Sequence, residues 1–285
     1  MIAREDLEDY LTRLEVLGRS PVTIKNYRVL LEPFIEYTLE HDLNPENCRE
    51  LLEKYQLHLK REHRYSNGSL KTATTTIKLF LIKLGYPCHD VELPKTGKRH
   101  PKYLTREEVD KLLEAPSSIY QARDKAILSL LYTSGLRVSE LTSLNKEDVN
   151  FQDGTITVKH GKGDRDRVTM TTPGTLQLLK DMMYKRTRKG REDKGPALFT
   201  NRYGNRLNSR SVQRIVKEAS QEAGITKKVT PHILRHTFAV HSLEEGFIIN
   251  DVQQLLGHSS LSSTQIYTEI RPRDIQERYK QLKRN

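Results

Sequence analysis

Through the first third of the chain, apolar residues recur three and four positions apart, the spacing of one helix face. Leu7, Leu11 (or Tyr10), Leu14 and Leu17 form the first stripe, which Gly18 ends. Ser20-Pro21 supplies an N-cap followed by proline at the first helical position, predicting a second helix to about Glu40. Asn44-Pro45 repeats that pair and predicts a third helix to about His63. Ser69 is placed to cap a fourth, with Leu70, Ala73, Ile77, Phe80, Leu81 and Leu84 on one face and Gly85 as its stop. The other face carries Lys71, Thr72, Thr75, Thr76 and Lys78, a polar surface without acids that suits phosphate contact.

Periodicity lapses over residues 90–102, DVELPKTGKRHPK, where two prolines, one glycine and four basic residues read as a linker. The domain boundaries expected are therefore residues 1–92 for a helical domain, 93–102 for the linker and 103–285 for a second domain.

That second domain opens on a capping box, Thr105 to Glu108, with a helix to about Glu114. A longer helix is expected from Gln121 to Thr133, closed by Gly135, and LRVSEL then sets Arg137 and Glu140 on one face of a new turn. The period next changes to two over Thr155–Val158 and again over Arg167–Met170. HGKGDRD lies between them, so a β-hairpin carrying Lys162 at its tip is predicted. Helices are expected over about 174–188 and 210–223, with Lys189–Leu207 between them as a basic loop. Thr230-Pro231 launches another helix to Gly246, and Gly257 closes a short one.

Composition narrows the class. The chain has 285 residues, 30% charged and 35% hydrophobic, enough for two domains with their own cores. It has no apolar run near 18 residues and no basic-then-apolar start, so neither a membrane span nor a secretory leader is expected. Two distant cysteines, Cys48 and Cys88, exclude a disulfide scaffold and fit a reducing, cytoplasmic compartment. Net charge is +11, and it is uneven. Residues 1–100 hold 16 Lys and Arg against 15 Asp and Glu, leaving 32 against 22 for residues 101–285, so the second half carries +10. A polyanion such as nucleic acid is the expected partner.

The candidate chemistry lies in that basic half. His232, Arg235 and His236 fall at i, i+3 and i+4 near the start of one helix. A zinc reading of the two histidines is disfavoured by the arginine between them, so no metal is expected. His258 stands nine residues ahead of Tyr267, within LLGHSSLSSTQIYTEI. Tyrosine is a weak nucleophile while protonated, with a pKa of about 10, and needs neighbours that stabilise charge on the group it attacks. Arg137, Arg235, Lys162, His232 and His258 meet the needs of phosphodiester attack. Guanidinium forks match the non-bridging oxygens, and the remaining groups can move protons.

TSGLRVSEL, HGKGDRD, HILRHTF and LGHSSLSSTQIYT, in that order, resemble the motifs of the tyrosine recombinase (integrase) family, nearest its Xer branch. The resemblance covers nearly the whole chain. It implies a mainly α fold with a small antiparallel β-sheet, comprising a helical core-binding (SAM-like) N-terminal domain and a mixed α/β catalytic domain. It implies that Arg137 and Arg235 clamp the phosphate, that His258 adds a contact and that His232 transfers a proton. Lys162 would protonate the 5′ leaving oxygen, Tyr267 would form a 3′-phosphotyrosine, and Glu140 would support the site. Lys71, Lys78, Arg165 and Arg167 are the candidates for DNA contact. No cofactor, metal or ATP is implied.

The expected partners are double-stranded DNA with a specific recombination site and other copies in a homotetramer on synapsed DNA; activation by a DNA translocase stays open. The tail after Arg271 places Ile275, Tyr279 and Leu282 on one stripe, which can dock on its own domain; the resemblance favours insertion into a neighbouring subunit. Two rival functions stay open. One is relaxation of DNA by the same chemistry without synapsis, as in type IB topoisomerases. The other is DNA binding without catalysis, against which the intact tyrosine and both arginines argue.

Overall fold

The computed structural model describes residues 2–96, 103–159, 166–188 and 195–257, with 186–188 described by backbone alone. The chain divides into two compact units, Met1–Arg99 and His100–Asn285.

In the first unit, α1 (Arg4–Val16), α2 (Pro21–Glu40), α3 (Cys48–Arg61) and α4 (Asn67–Lys83) bury Leu7, Leu11, Leu31, Phe34, Leu52, Ile77 and Phe80 in one core. Leu17 is not part of the α1 stripe. It follows the last turn as the C-cap and is 65% exposed. Ser20 caps α2 as expected, accepting the Thr23 N–H at 3.2 Å. α3 starts later than Pro45. Asn44 Oδ1 accepts the N–H groups of Glu46 and Asn47, closing a turn that holds Pro45 outside the helix. α4 starts earlier than Ser69, because Ser66 Oγ is the acceptor for the Ser69 N–H. Thr76, expected on the polar face of α4, is buried.

The segment leaving this unit is tied down further than its composition suggests. Cys88 and Val91 enter the core. Lys78 Nζ donates to the carbonyls of His89 and Val91, Gln56 Nε2 to Glu92 O at 3.1 Å, and Asn67 Nδ2 to Lys95 O at 3.0 Å.

The second unit contains α5 (Arg106–Glu114), α6 (Gln121–Ser134), α7 (Val138–Ser143), a 3₁₀ turn (Lys146–Asp148), β1 (Thr155–Val158) and β2 (Arg167–Met170). α8 (Pro173–Arg188), α9 (Ser209–Glu222), α10 (Pro231–Glu244) and α11 (Ile249–Leu256) complete it. The two strands pair antiparallel with Val158 opposite Arg167 and Ile156 opposite Thr169, so the fold is mainly α with one small antiparallel sheet. α6 is the central element: Ala126, Ile127, Leu128, Leu130 and Leu131 are fully buried, and α5, α8, α9, α10 and β2 all pack against it. A helix apolar on nearly every side belongs inside a core.

Gly135 ends α6 with φ +61°, and a Cβ there would lie 2.5 Å from the Phe238 ring and 2.7 Å from Leu256. Glycine therefore lets the end of α6 approach α10 and α11 closely. The expected loop Lys189–Leu207 is, over its described part, folded inward. Leu198, Phe199 and Leu207 are buried, Ala197 bridges to Asn145, and Arg206 Nη1 donates to the carbonyls of Thr142 and Leu144, both at 2.9 Å. None of the described helices is long and apolar enough to cross a membrane.

Candidate active site

Three chain ends meet on one side of the second unit: the start of α7, the start of β2 and the end of α11. Arg137 is the N-cap of α7 in extended conformation, and Glu140 at the third helical position accepts its N–H at 2.7 Å. The spacing of three in LRVSEL is thus half of a capping box, which aims the carboxylate back at its own arginine. Arg137 Nη1 donates to Glu140 Oε1 at 2.6 Å. Arg167 reaches the same carboxylate from β2 in a fork, Nη1 to Oε1 at 2.7 Å and Nη2 to Oε2 at 2.8 Å. Arg235 Nη1, from the second turn of α10, stands 3.9 Å from Oε2.

Burial pushes the Glu140 carboxyl up. The fork from Arg167 and the bonds from Arg137 outweigh that and bring it down to about 2. Glu140 is therefore ionised throughout the physiological range. Among the described residues, three guanidinium charges against one carboxylate leave a net charge of +2 in this cluster.

The same arginines hold the last carbonyls of α11. Arg167 Nε donates to Leu255 O at 3.1 Å, Arg235 Nη2 to Leu256 O at 2.6 Å, and Arg137 Nη2 to Gly257 O at 3.3 Å. A helix leaves its last carbonyls unpaired and its C-terminus partly negative, so cations there satisfy both needs. Arg235 Nη1 also donates to Gly135 O, joining the ends of α6 and α11. Gly257, at φ +63°, turns the chain into the stretch that begins with His258. Its missing side chain makes room for Arg167, whose Cδ would lie 2.6 Å from a Cβ.

Exposure separates the three arginines. Side-chain exposure is 28% for Arg137, 11% for Arg167 and 5% for Arg235. Arg137 is thus the most open to a bound oxyanion, and Arg235 and Arg167 are built into the wall behind it.

Thr230 caps α10 by accepting the Ile233 N–H at 3.3 Å, Pro231 follows, and His232 stands exposed in the first turn. A groove of about 680 Å³ opens there, lined by His232, Val138, Gln213, Lys217 and Lys228 among others. His236, one turn on, is buried. Burial and the nearby His232 push its imidazole down to about 4, so it is neutral and packed, as expected for a helix-core residue.

Of the candidate residues, the structure brings Arg137, Glu140 and Arg235 together, and it turns Arg167, expected as a DNA contact, inward to join them. It sets His232 at the start of the helix that carries Arg235. Lys162, Arg165, His258 and Tyr267 lie outside the described residues. Lys71 is exposed on α4, whereas Lys78 is engaged with the backbone at 89–91. The part taken by Arg167 was not read from the sequence. The available signal was strand parity, which puts Arg167 on the same face as Thr169 and opposite Val168.

The phage integrase family model matches residues 102–273 of this chain. The chain is 40% identical to the tyrosine recombinase XerA of Pyrococcus furiosus over 96% of its own length and 92% of the relative's. It is 32% identical to XerC of Chlamydia caviae, covering 92% of each. Among solved structures, a XerA recombinase aligns over 97% of this chain and 98% of its own, with TM-score 0.57 and 34% identity. A XerH recombinase bound to a palindromic difH substrate in a post-cleavage complex shares the fold at TM-score 0.76 and 23% identity, over 98% of this chain and 84% of its own. With more than half its length matched by the family model and its relatives covered almost end to end, the chain belongs to the phage integrase family, the tyrosine recombinases.

Proposed function

We propose that this protein is a Xer-like site-specific recombinase that cuts and rejoins duplex DNA through a 3′-phosphotyrosine on Tyr267, in chromosome or plasmid dimer resolution. The observation that carries this reading is the meeting of Arg137 and Arg235 at one helix end, one residue before His258 and the tyrosine stretch. Arg137 and Arg235 bind the non-bridging oxygens of the scissile phosphate, and His258 adds a contact. The Tyr267 oxygen attacks phosphorus while the bond from phosphorus to the 5′ oxygen breaks. The phenolic proton passes toward His232, and Lys162 supplies the proton taken up by the 5′ oxygen. Attack by a 5′ hydroxyl from the partner duplex reverses these transfers and releases Tyr267. The phosphotyrosine conserves the bond, so the cycle uses neither ATP nor a metal.

Glu140 orients the arginines rather than reacting. Lys71 and Arg165 contact the DNA, while Lys78, engaged with the carbonyls of His89 and Val91, holds the chain after α4 instead. The acting form is a tetramer on two synapsed sites in the cytoplasm, linked by tails exchanged between neighbours. The test is a nicked suicide substrate carrying a recombination site. Wild-type protein traps a covalent protein–DNA adduct, and Tyr267→Phe, which removes only a hydroxyl, binds the DNA with unchanged affinity and traps none. An adduct formed by the Phe variant overturns the assignment. Relaxation of supercoiled DNA without recombination between two sites would point to topoisomerase action instead.

A further inference from the structure

We propose that Arg167 is a positioning residue for the reaction, the brace that sets both Arg137 and the chain leading to His258, and not a DNA contact. The proposal rests on the recombinase reading above. Arg167 starts β2, yet its side chain turns inward and is 11% exposed. Its three nitrogens are all engaged: Nη1 and Nη2 grip both oxygens of Glu140, and Nε donates to Leu255 O at 3.1 Å.

Each bond constrains a different part of the site. Glu140 is the group that holds the Arg137 guanidinium and its backbone N–H, so fixing Glu140 fixes Arg137. Leu255 lies in the last turn of α11, whose next two carbonyls meet Arg235 and Arg137. The fork therefore ties the hairpin strand, the start of α7 and the end of α11 into one rigid triangle. Gly257 makes the packing possible, because a Cβ there would lie 2.6 Å from Arg167 Cδ and 2.9 Å from Nε. With both Nη atoms on Glu140 and Nε on Leu255 O, the whole fork of Arg167 is spent on the protein. A lysine could neutralise Glu140, but as a single point of charge it could not span two carboxylate oxygens and a carbonyl.

The experiment compares Arg167→Ala, Arg167→Lys and Gly257→Ala with wild type by three measurements. These are the salt dependence of DNA binding, single-turnover adduct formation at saturating DNA, and amide hydrogen exchange across α11 in the free protein. A positioning role leaves the slope of log affinity against log salt unchanged. It lowers the saturated rate on the order of 100-fold in Arg167→Ala, the scale of a 1 Å misplacement. It leaves Arg167→Lys well below wild type, and it speeds exchange at the end of α11 in all three variants. Adding Glu140→Gln to Arg167→Ala costs little more, since the two act as a unit.

A slope reduced by about 0.9 with an intact saturated rate would make Arg167 a phosphate contact and overturn the proposal. Full rescue by Arg167→Lys, or unchanged exchange in α11, would overturn it as well. Where Arg167→Ala fails to fold, Arg167→Lys and Gly257→Ala decide. Failure of the recombinase reading looks different: wild type itself forms no adduct, while the exchange measurement still reports on the brace.

Discussion

Glu140 holds Arg137 twice, by its side chain at 2.6 Å and by its backbone N–H at 2.7 Å, so one carboxylate sets both the cap of α7 and the direction of the guanidinium. An arginine held in this way presents its remaining donors in a fixed plane. That is the preorganisation a phosphate clamp needs, because no reorientation is then required as charge develops.

The charge on Glu140 should make a measurable contribution to stability. Its pKa falls from 4.5 to about 2 on folding, a depressed value, so the contribution is complete above pH 4.5 and disappears as pH drops toward 2. Glu140→Gln should therefore cost about 3 kcal/mol at neutral pH, a difference that narrows between about pH 4.5 and pH 2. Urea unfolding of both proteins across that range measures it. A gap that stays constant down to about pH 3 would show that the arginines are held by something other than this charge.

Arg137 and Arg235 should part company when stability and activity are measured together. Replacing either by alanine should slow adduct formation by roughly 100- to 1,000-fold, the loss expected for one preorganised donor group. Arg235→Ala also strips partners from two carbonyls at a site 5% exposed, Gly135 O and Leu256 O, and should lose about 3 kcal/mol of stability. Arg137→Ala, at 28% exposed, should lose about 1 kcal/mol. Thermal unfolding beside single-turnover cleavage gives both numbers. Equal stability losses would contradict the buried and open roles assigned here.

Lys162 as the proton donor predicts chemical rescue. A substrate with a 5′-phosphorothiolate leaves without needing a proton, so Lys162→Ala should cleave it at close to the wild-type rate and remain slow on the ordinary substrate. Equal impairment on both would recast Lys162 as a phosphate contact, with Arg165 next in line as donor.

The charge asymmetry predicts where salt sensitivity resides. Residues 101–285 carry +10 of the +11 total. That fragment should keep most of the salt slope of the intact protein, at roughly 0.9 per phosphate neutralised, and a fragment of residues 1–94 should show little. Fluorescence anisotropy at several salt concentrations tests it. A slope carried mainly by the first fragment would mean that local patches outweigh net charge.

Much of this protein is written in short-range chemistry. Ser20-Pro21, the Thr105–Glu108 box and Thr230-Pro231 each start a helix where the sequence places it, because a cap is satisfied by atoms three residues away. Both strands likewise fall where the period of two begins and ends. Where two local solutions compete, the sequence is ambiguous. Asn44 closes a turn instead of opening α3, and Ser66 caps α4 although Ser69 is an equally good residue three positions on.

Tertiary structure decided the rest, and it did so through groups distant in sequence. Residues 90–95 read as linker by composition, but Lys78, Gln56 and Asn67 reach across from α3 and α4 to hold the carbonyls of Val91, Glu92 and Lys95. Arg167 is the clearest case. Period two states that Arg167 and Thr169 share one face of β2 and Val168 and Met170 the other, but not which face turns inward. Hydrophobicity alone would bury Val168 and Met170, which are 54% and 53% exposed. The arginine goes inside because Glu140, 27 residues away, and the end of α11, 88 residues away, together supply the charge and carbonyls that its burial requires.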